Sequence, residues 1–274
     1  MKTPSMYRLQ AREALKNIWM KSALSTLVFF LAIITPSMIV VLCTDGFNAP
    51  NTSSLWAWAA IFAGFGVIPM TFGYAVAYLN HIRTKEAKFL KDTWRFGIKD
   101  YGRFLGAYMV VYLISLAISG VMNMASNTLE KYDSLLVTLI IIIVLLWLCF
   151  LMLQVMYAYR MVPYLIHDDP KLKVISALKQ SNEMMKGYKL LLFKIDLSLV
   201  QWYIYAMILT LIFVFVGEEI SSYCLLIIGG IMCFVTLVGT FLFLYPYINT
   251  TSALFYEDLI ADKISDNILT EDNN

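Results

Sequence analysis

The sequence is poor in the residues that soluble enzymes use for chemistry. Only 15% of its 274 residues are charged, and it holds two histidines and four cysteines. No cysteine belongs to a CxxC pair and neither histidine belongs to an HExxH motif, so the spacing of a zinc site is missing from the sequence. These shortages argue against a metalloprotease. We therefore expect no enzyme: no catalytic residues, no metal site and no cofactor.

Apolar residues, in contrast, make up 60% of the chain. Such a chain cannot bury its apolar surface inside one water-soluble globule. A bilayer needs about 20 consecutive apolar helical residues to be crossed, and the stretches long enough for this are 22–43, 55–79, 104–124, 135–159, 195–216 and 223–245. The sequence therefore predicts an all-α membrane protein, with six transmembrane helices in a single domain, residues 1–274.

The basic residues are segregated along the chain. Five lie in the N-terminal tail, seven in 80–103 and seven in 160–194, whereas the alternate connections 44–54, 125–134 and 217–222 hold only Lys131. Positively charged connections stay on the cytoplasmic side of a membrane. This pattern predicts that both termini are cytoplasmic, and the short connections favour the inner membrane of a bacterium.

An amphipathic stretch precedes each odd-numbered span, and the three stretches resemble one another. They are Leu15-Lys16-Asn17-Ile18-Trp19, Leu90-Lys91-Asp92-Thr93-Trp94 and Ala177-Leu178-Lys179-Gln180-Ser181. We predict a threefold pseudo-repeat of helical hairpins, with units at about 1–80, 81–165 and 166–260. The end of the chain is acidic, beginning with Glu257 and Asp258 and continuing through a tail at 261–274. This acidic end either folds back on the basic connections, binds a partner or stays solvated.

Each amphipathic stretch is predicted to form a basic interfacial helix. Helical spacing places Tyr7, Ala11, Ala14, Leu15 and Ile18 on one face of the first, and Val174, Ala177, Leu178 and Ser181 on one face of the third. In the middle stretch Leu90, Trp94 and Ile98 are predicted to face inward. Helices of this kind lie at the surface of a bilayer and bind anionic headgroups. The candidate headgroup contacts are Arg8, Arg12, Lys16, Lys88, Lys91, Arg95, Lys186 and Lys189.

A candidate polar site is formed by His167, Asp168 and Asp169. These residues could hold a divalent ion or the amine of a lipid headgroup. The alternative is structural: Asp169 would cap a helix that begins at Pro170. Asp196, the one carboxylate or base within the six spans, could pair with Lys194 or Arg160 or act as a proton relay.

Small residues and prolines predict where helices pack closely or bend. Gly73 beside Pro69 favours a tightly packed or bent second span, and Gly229 with Gly230 favours the same in the sixth. Pro246 is expected to end or kink its helix.

Several segments resemble a family of bacterial integral membrane proteins, domain of unknown function nine-seven-five. The resemblance lies in Tyr157-Ala158-Tyr159-Arg160, His167-Asp168-Asp169-Pro170, Met185-Lys186-Gly187-Tyr188-Lys189 and the closing Tyr245-Pro246-Tyr247. It covers most of the chain and implies a helical membrane protein. The family is more distantly similar to the membrane domain that accompanies some glycerophosphodiester phosphodiesterases, but the chain has no counterpart of their catalytic domain.

We therefore expect a non-enzymatic integral membrane protein with a role in membrane organisation, lipid interaction or partner assembly. Its expected partners are membrane lipids and other membrane proteins, with no nucleic acid. The alternative is a transporter or permease for an apolar or amphiphilic small molecule. Ion-coupled transport is disfavoured because the centres of the six stretches carry no charge.

Overall fold

The computed structural model describes residues 2–43, 70–129, 135–219 and 223–271, and within these ranges all regular structure is helical. The prediction of an all-α fold is confirmed. The helices are α1 (Pro4–Leu15), α2 (Trp19–Cys43), α3 (70–84), α4 (Phe89–Lys99), α5 (Tyr101–Leu129), α6 (Leu135–Ala158), α7 (Val162–Asp168), α8 (Val174–Met184), α9 (Lys189–Glu219), α10 (Tyr223–Gly239), a π-helix (Thr240–Leu244) and α11 (Tyr245–Glu271).

Two helical stretches are long and apolar enough to cross a membrane, Tyr101–Thr128 and Leu136–Asp168. The segments Lys189–Gln201 and Tyr203–Gly217 of α9 would make a third, with a bend of 45° between them. The six predicted spans are helical wherever the structure describes them. Residues 55–69 of the second span, which include Pro69, lie outside the described residues. Six membrane crossings therefore stay a prediction.

The long helices are only sparsely covered by other parts of the protein. α5 has 29 residues, which corresponds to roughly 44 Å of helix, longer than the roughly 30 Å hydrocarbon core of a bilayer. In the most apolar windows of the two spanning stretches, only 11% of the residues are buried. Large apolar side chains therefore point away from the protein along these helices, for example Leu113 and Leu116 of α5 and Ile143 and Trp147 of α6.

The buried core lies where the short helices meet the adjoining ends of the long ones. One cluster joins Tyr7 of α1, Tyr164 of α7, Met185 after α8 and Phe255 of α11. Two smaller clusters extend it toward α4 and α5 and toward α2 and α3. The short helices thus close one region of the bundle by hydrophobic packing, which is the main force that stabilises a helical fold.

The predicted faces of α1 and α8 are confirmed. Tyr7, Ala11 and Leu15 of α1 are fully buried. In α8, Ala177, Leu178 and Ser181 are buried, and Val174 packs against them. Both helices carry a single apolar stripe at 3.6-residue spacing, so the periodicity alone identifies the buried side.

The turns that leave α1 and α8 have the same construction. After α1, the N–H groups of Lys16 and Ile18 donate to the carbonyls of Glu13 and Leu15, and Asn17 has a φ of 66°. The residues after α8 repeat these bonds, from Lys186 to Glu183 and from Tyr188 to Met185, with Gly187 at a φ of 81°. Both turns are left-handed caps of the kind that glycine and asparagine favour.

This match corrects the predicted alignment of the repeat. The first stretch, Leu15–Trp19, corresponds in structure to Met185–Lys189 rather than to Ala177–Ser181. The middle unit differs, because α4 and α5 are separated only by Asp100, whose φ is −109°. The first and third units therefore share a helix–turn–helix construction, and the threefold repeat stays a prediction.

α3 and α4 approach each other closely at Gly73. A Cβ atom on Gly73 would lie 2.6 Å from the amide nitrogen and 2.7 Å from the Cα of Gly97, and closer still to the carbonyl oxygen of Thr93. The predicted tight packing at Gly73 is confirmed. Gly229 also packs closely, with Val214 of α9, but a Cβ on Gly230 would meet no atom within 4 Å, so the prediction for Gly230 was wrong.

Pro246 does not end its helix. The chain passes from the π-helix Thr240–Leu244 directly into α11, and the Tyr245 N–H donates to the carbonyl of Thr240. A proline lacks the N–H that would continue the ordinary hydrogen-bond ladder, and the turn directly before Pro246 is a π-helix, a rare form that mostly occurs as a single turn inside an α-helix. Of the two outcomes predicted for Pro246, the helix end was wrong, and the structure shows a widened turn just before the proline.

We expect Gly73→Ala to destabilise the fold. The new methyl group would meet backbone atoms that cannot rotate away, and overpacking of this kind costs about 1–3 kcal/mol. Thermal unfolding in detergent would measure the loss. The matched control is Gly102→Ala in α5, where a Cβ has no neighbour within 4 Å, and the control should unfold at the temperature of the unsubstituted protein or above it. Equal effects of the two substitutions would contradict the close approach of α3 and α4.

Candidate functional site

Arg83, in the last turn of α3, binds carboxylates from two other helices. Its Nη1 and Nη2 donate to the two carboxylate oxygens of Asp168, at 2.6 and 2.9 Å, and its Nε donates to Glu257 at 2.7 Å. A two-pronged contact of this kind is stronger and more directional than a single bond. Arg83 thus ties the end of α3 to the end of α7 and to α11. We name Arg83, Asp168, Tyr256 and Glu257 the Arg83 cluster.

Tyr256 completes the cluster. Its hydroxyl donates to Asp168 at 2.8 Å, and its ring stacks on Tyr164 of α7 with the centroids 4.9 Å apart. Burial opposes ionisation of Asp168, but the hydrogen bonds from Arg83 and Tyr256 outweigh it and hold the pKa of Asp168 below its usual value. Burial and the neighbouring carboxylate raise the pKa of Tyr256. At neutral pH the cluster therefore holds an ionised Asp168 and a neutral phenol.

A second ionic contact fastens the N-terminus to α11. Lys2 Nζ lies 2.8 Å from one oxygen of Asp258, and the Tyr7 hydroxyl donates to the other oxygen at 2.8 Å. Of the three fates considered for the acidic end of the chain, folding back onto basic residues is confirmed for Asp258 and Glu257. Residues 272–274 lie outside the described part of the chain.

The three residues of the predicted polar site have separate surroundings. His167 packs edge-on against Phe96, at 4.6 Å between ring centroids, and its Nδ1 is buried without a partner. Asp168 belongs to the Arg83 cluster. The side chain of Asp169 accepts a hydrogen bond from the Lys171 N–H at 2.8 Å. Among the described residues, no three His, Cys, Asp or Glu side chains come together in the way that would hold a metal ion.

Asp169 does not cap the following helix, so that prediction was wrong. α8 begins at Val174, with Lys173 at the capping position, and Pro170 lies in a turn. Asp169 instead closes that turn and ends α7. The Asp-Pro pair is as typical of a turn as of a helix start, since an aspartate bonds to the backbone two residues further on in either setting.

The eight candidate headgroup residues lie on α1 and α4, in the turns next to α1, α4 and α8, and at the first residue of α9. Arg12, Lys16, Lys91, Arg95 and Lys186 are exposed, and Arg8 and Lys189 are half-buried. Lys88 is exposed but pairs with Glu86 at 2.6 Å, and that carboxylate raises the pKa of Lys88. No lipid is needed to neutralise Lys88, whereas Lys91 and Arg95 point away from the protein beside it.

The predicted orientation of α4 was wrong. The face packed against the protein is Phe89, Asp92, Thr93, Phe96 and Gly97, and it is held there by the close approach of α3 and by a 2.7 Å hydrogen bond from Asn80 to Asp92. Leu90, Trp94 and Ile98 point outward and are 41%, 39% and 62% exposed. We name these three residues the α4 apolar stripe. Lys91 and Arg95 lie next to it.

Asp196 binds a tyrosine rather than a base. The Tyr157 hydroxyl donates to its Oδ2 at 3.1 Å, and its Oδ1 is buried without a hydrogen-bond partner. Arg160, one of the two bases considered as its partner, donates instead to Ser252 at 3.2 Å. Asp196 therefore links α9 to α6 through Tyr157.

Two sets of contacts were not predicted from the sequence. One is the Arg83 cluster, whose members are far apart in the chain and share no spacing motif. The other is a group of hydroxyls between α2 and α3, in which Ser22 bonds to Tyr78 at 2.6 Å and Tyr78 bonds to Tyr74 at 2.8 Å. Tyr74 and Tyr78 are four residues apart, so they lie on one helix face, but that spacing does not reveal the serine opposite.

The family model described as "Protein of unknown function (DUF975)" matches residues 1–263. The chain belongs to this family. No curated protein and no solved structure matches the chain. The resemblance to the DUF975 family is thereby confirmed, and the more distant similarity to the domain that accompanies glycerophosphodiester phosphodiesterases is not shown.

In this DUF975 protein we expect Arg83 and Asp168 to be energetically coupled. A double-mutant cycle with Arg83→Gln and Asp168→Asn, read by thermal or denaturant unfolding, should give a coupling energy of roughly 1 kcal/mol, because the pair is two-pronged but partly exposed. The control cycle uses Lys88→Gln and Glu86→Gln, whose side chains are both 55% exposed, and should give no measurable coupling. Equal coupling in the two cycles would contradict a special role for the Arg83 cluster.

The stability of this DUF975 protein should depend on His167 in mildly acidic solution. Burial lowers the pKa of His167. The negative charges of Asp168 and Asp100 act to raise this pKa, and the positive charges of Arg83 and Lys99 act to lower it further. As the pH falls below about 6.5, the unfolded chain takes up this proton before the folded protein does, so the free energy of unfolding falls. His167→Gln should remove that part of the decrease. A titration of stability in which both proteins lose the same amount would refute this assignment.

Proposed function

We propose that this DUF975 protein is a non-enzymatic integral membrane protein that contributes to membrane organisation by binding anionic lipid headgroups at its cytoplasmic surface. In this proposal it crosses the bacterial inner membrane six times and both termini are cytoplasmic. The observation that carries the proposal is the α4 apolar stripe beside two exposed cations. The protein itself leaves these side chains uncovered.

The α4 apolar stripe has the composition of a surface that meets a bilayer. Trp94 stands between Leu90 and Ile98, and tryptophan is enriched at the boundary between headgroups and acyl chains. Lys91 follows Leu90 and Arg95 follows Trp94, so the two cations lie on an adjoining face of the same helix. They can contact phosphates while the stripe contacts acyl chains. α4 leads through Asp100 into α5, whose apolar side chains are also exposed. Exposed apolar side chains are therefore present both on α4 and on the following helix, which is long enough to span.

The location of the short helices supports a cytoplasmic surface. α1, α4, α7 and α8 all pack at the region where the basic connections lie, and the cations Arg12 and Lys186 are exposed there. The connections on the other side hold one cation in the sequence. A bilayer with anionic lipid on its cytoplasmic side attracts such a surface, with about 1 kcal/mol for each nearby cation.

A transporter for an apolar or amphiphilic molecule is the second candidate. One observation favours it: a cavity of about 350 Å³ lies beside the π-helix and is lined mainly by apolar side chains, among them Trp19, Leu199, Val235 and Phe243. Transporters often place a widened or broken helix next to the substrate. The exposed basic helices have no role in this alternative, so we rank it second.

The lipid proposal is tested with Lys91→Gln/Arg95→Gln. The purified protein should be stabilised when phosphatidylglycerol is added to phosphatidylcholine nanodiscs, and the double variant should lose about 2 kcal/mol of that stabilisation, one for each cation. The matched control is Lys179→Gln/Lys263→Gln, which removes the same charge from exposed sites on α8 and α11. It should keep the response. An equal loss in both variants would show that only net charge matters and would overturn the specific role of α4.

A further inference from the structure

A polar cavity of about 660 Å³ lies between α1, the end of α3 and α11. This volume is typical of sites for small organic ligands and is much larger than a single inorganic ion requires. The cavity is separate from the α4 apolar stripe and from the apolar cavity beside the π-helix, with which it shares no lining residue. The charged side chains that line the cavity determine which ligands it can bind.

The cations of the cavity wall differ in what they bind. Lys2 is held by Asp258, at 2.8 Å. Lys16, at the end of α1, and Lys85, just after α3, also line the cavity but stand in no ion pair that the structure shows among its described residues. Two ammonium groups on neighbouring elements are suited to a phosphate, whose negative charge and several acceptor oxygens satisfy both.

The wall also offers groups that accept hydrogen bonds. The side-chain oxygen Oε1 of Gln10 is buried and has no hydrogen-bond partner in the protein. Glu13, one turn further along α1, lines the same cavity. The remaining two carboxylates of the wall, Glu257 and Asp258, are already bound by Arg83 and by Lys2. Glu13 therefore presents a carboxylate that would repel a simple anion and attract an ammonium group.

Both lysines lie in turns with a left-handed backbone residue. Asn17, the residue after Lys16, and Lys85 itself have φ values of 66° and 61°, and they are the non-glycine residues with positive φ in the described part of the chain.

His81 contacts the elements that carry the two lysines. Its Nδ1 lies 3.0 Å from the carbonyl oxygen of Glu86 and its Nε2 lies 3.1 Å from the carbonyl oxygen of Ala14. The ring thus bridges the end of α1, next to Lys16, and the turn that carries Lys85.

We propose that this cavity binds a zwitterionic ligand that carries a phosphate and a primary ammonium group. The phosphate contacts Lys16 and Lys85, and the ammonium group contacts Glu13. This chemistry is found in the headgroup of phosphatidylethanolamine and in soluble phosphoamines. The site goes beyond the proposed binding of anionic lipid, because it uses different residues and selects a different charge pattern.

The experiment compares two soluble probes by isothermal titration calorimetry with the full-length protein in phosphatidylcholine nanodiscs. O-phosphoethanolamine carries both groups, and glycerol 3-phosphate lacks the ammonium. We expect O-phosphoethanolamine to bind more tightly. Lys16→Gln/Lys85→Gln should weaken its binding at least tenfold, whereas the matched control Lys171→Gln/Lys173→Gln, two exposed lysines away from the cavity, should leave binding unchanged. If the double variant does not fold, Lys16→Gln alone should still weaken binding.

Glu13→Gln separates this ligand class from a plain phosphate. It should weaken O-phosphoethanolamine and strengthen glycerol 3-phosphate, because it removes a negative charge that attracts the ammonium and repels the phosphate. A second arm replaces part of the phosphatidylcholine by phosphatidylethanolamine and measures the unfolding temperature. A rise in this arm that Lys16→Gln/Lys85→Gln removes identifies a lipid as the source, and binding of the soluble probe alone identifies a soluble ligand. Absence of binding in both arms, or equal binding by the lysine variant and its control, would overturn the proposal.

Discussion

The outward apolar surface of the long helices is the constraint on which the rest of the structure depends. Leu113 of α5, Ile143 and Trp147 of α6 and Phe215 of α9 are all more than half exposed. In water, each such side chain would forgo about 1.5–3 kcal/mol that burial provides. In a bilayer the same surface is already in its preferred solvent, which explains why the protein does not cover it. Hydrophobic packing within the protein is concentrated instead among the short helices.

The short helices and the Arg83 cluster join parts of the chain that are far apart in sequence. Arg83 lies in the last turn of α3, Asp168 ends α7 and Glu257 lies in α11, so one guanidinium joins its own helix to two others. Lys2 and Asp258 add a contact between the two ends of the chain. In the core beneath, Tyr164 and Phe255 are among the buried residues of the largest apolar cluster, and the ionic contacts join the helix ends above it. The cavity between α1, α3 and α11 lies at this junction, and therefore its shape depends on the same contacts.

The sequence predicted those features that follow from a single repeating pattern. The buried faces of α1 and α8 were predicted correctly because each helix has one apolar stripe. α4 was oriented wrongly because it has two: the faces that carry Phe96 and Trp94 are both apolar, and the contact that decides between them, Gly73 against Gly97, joins two helices and leaves no trace in local spacing. The Arg83 cluster was missed for a related reason, since opposite charges are common near helix ends and only the fold selects which of them meet. The turn after α1 would have been aligned with that after α8 by the pair Asn17 and Gly187, which are the residue types that tolerate a left-handed backbone.

Labelling of cysteines in intact cells tests the central claim most directly, which is that the basic short helices lie on the cytoplasmic side of a membrane that the long helices cross. In a background without the four native cysteines, a membrane-impermeant maleimide would be applied to single variants at Asn51, Glu86, Lys131 and Lys171. We predict that Asn51→Cys and Lys131→Cys are labelled in intact cells and that Glu86→Cys and Lys171→Cys are labelled only after permeabilisation. Labelling of Glu86→Cys or Lys171→Cys in intact cells would contradict the account.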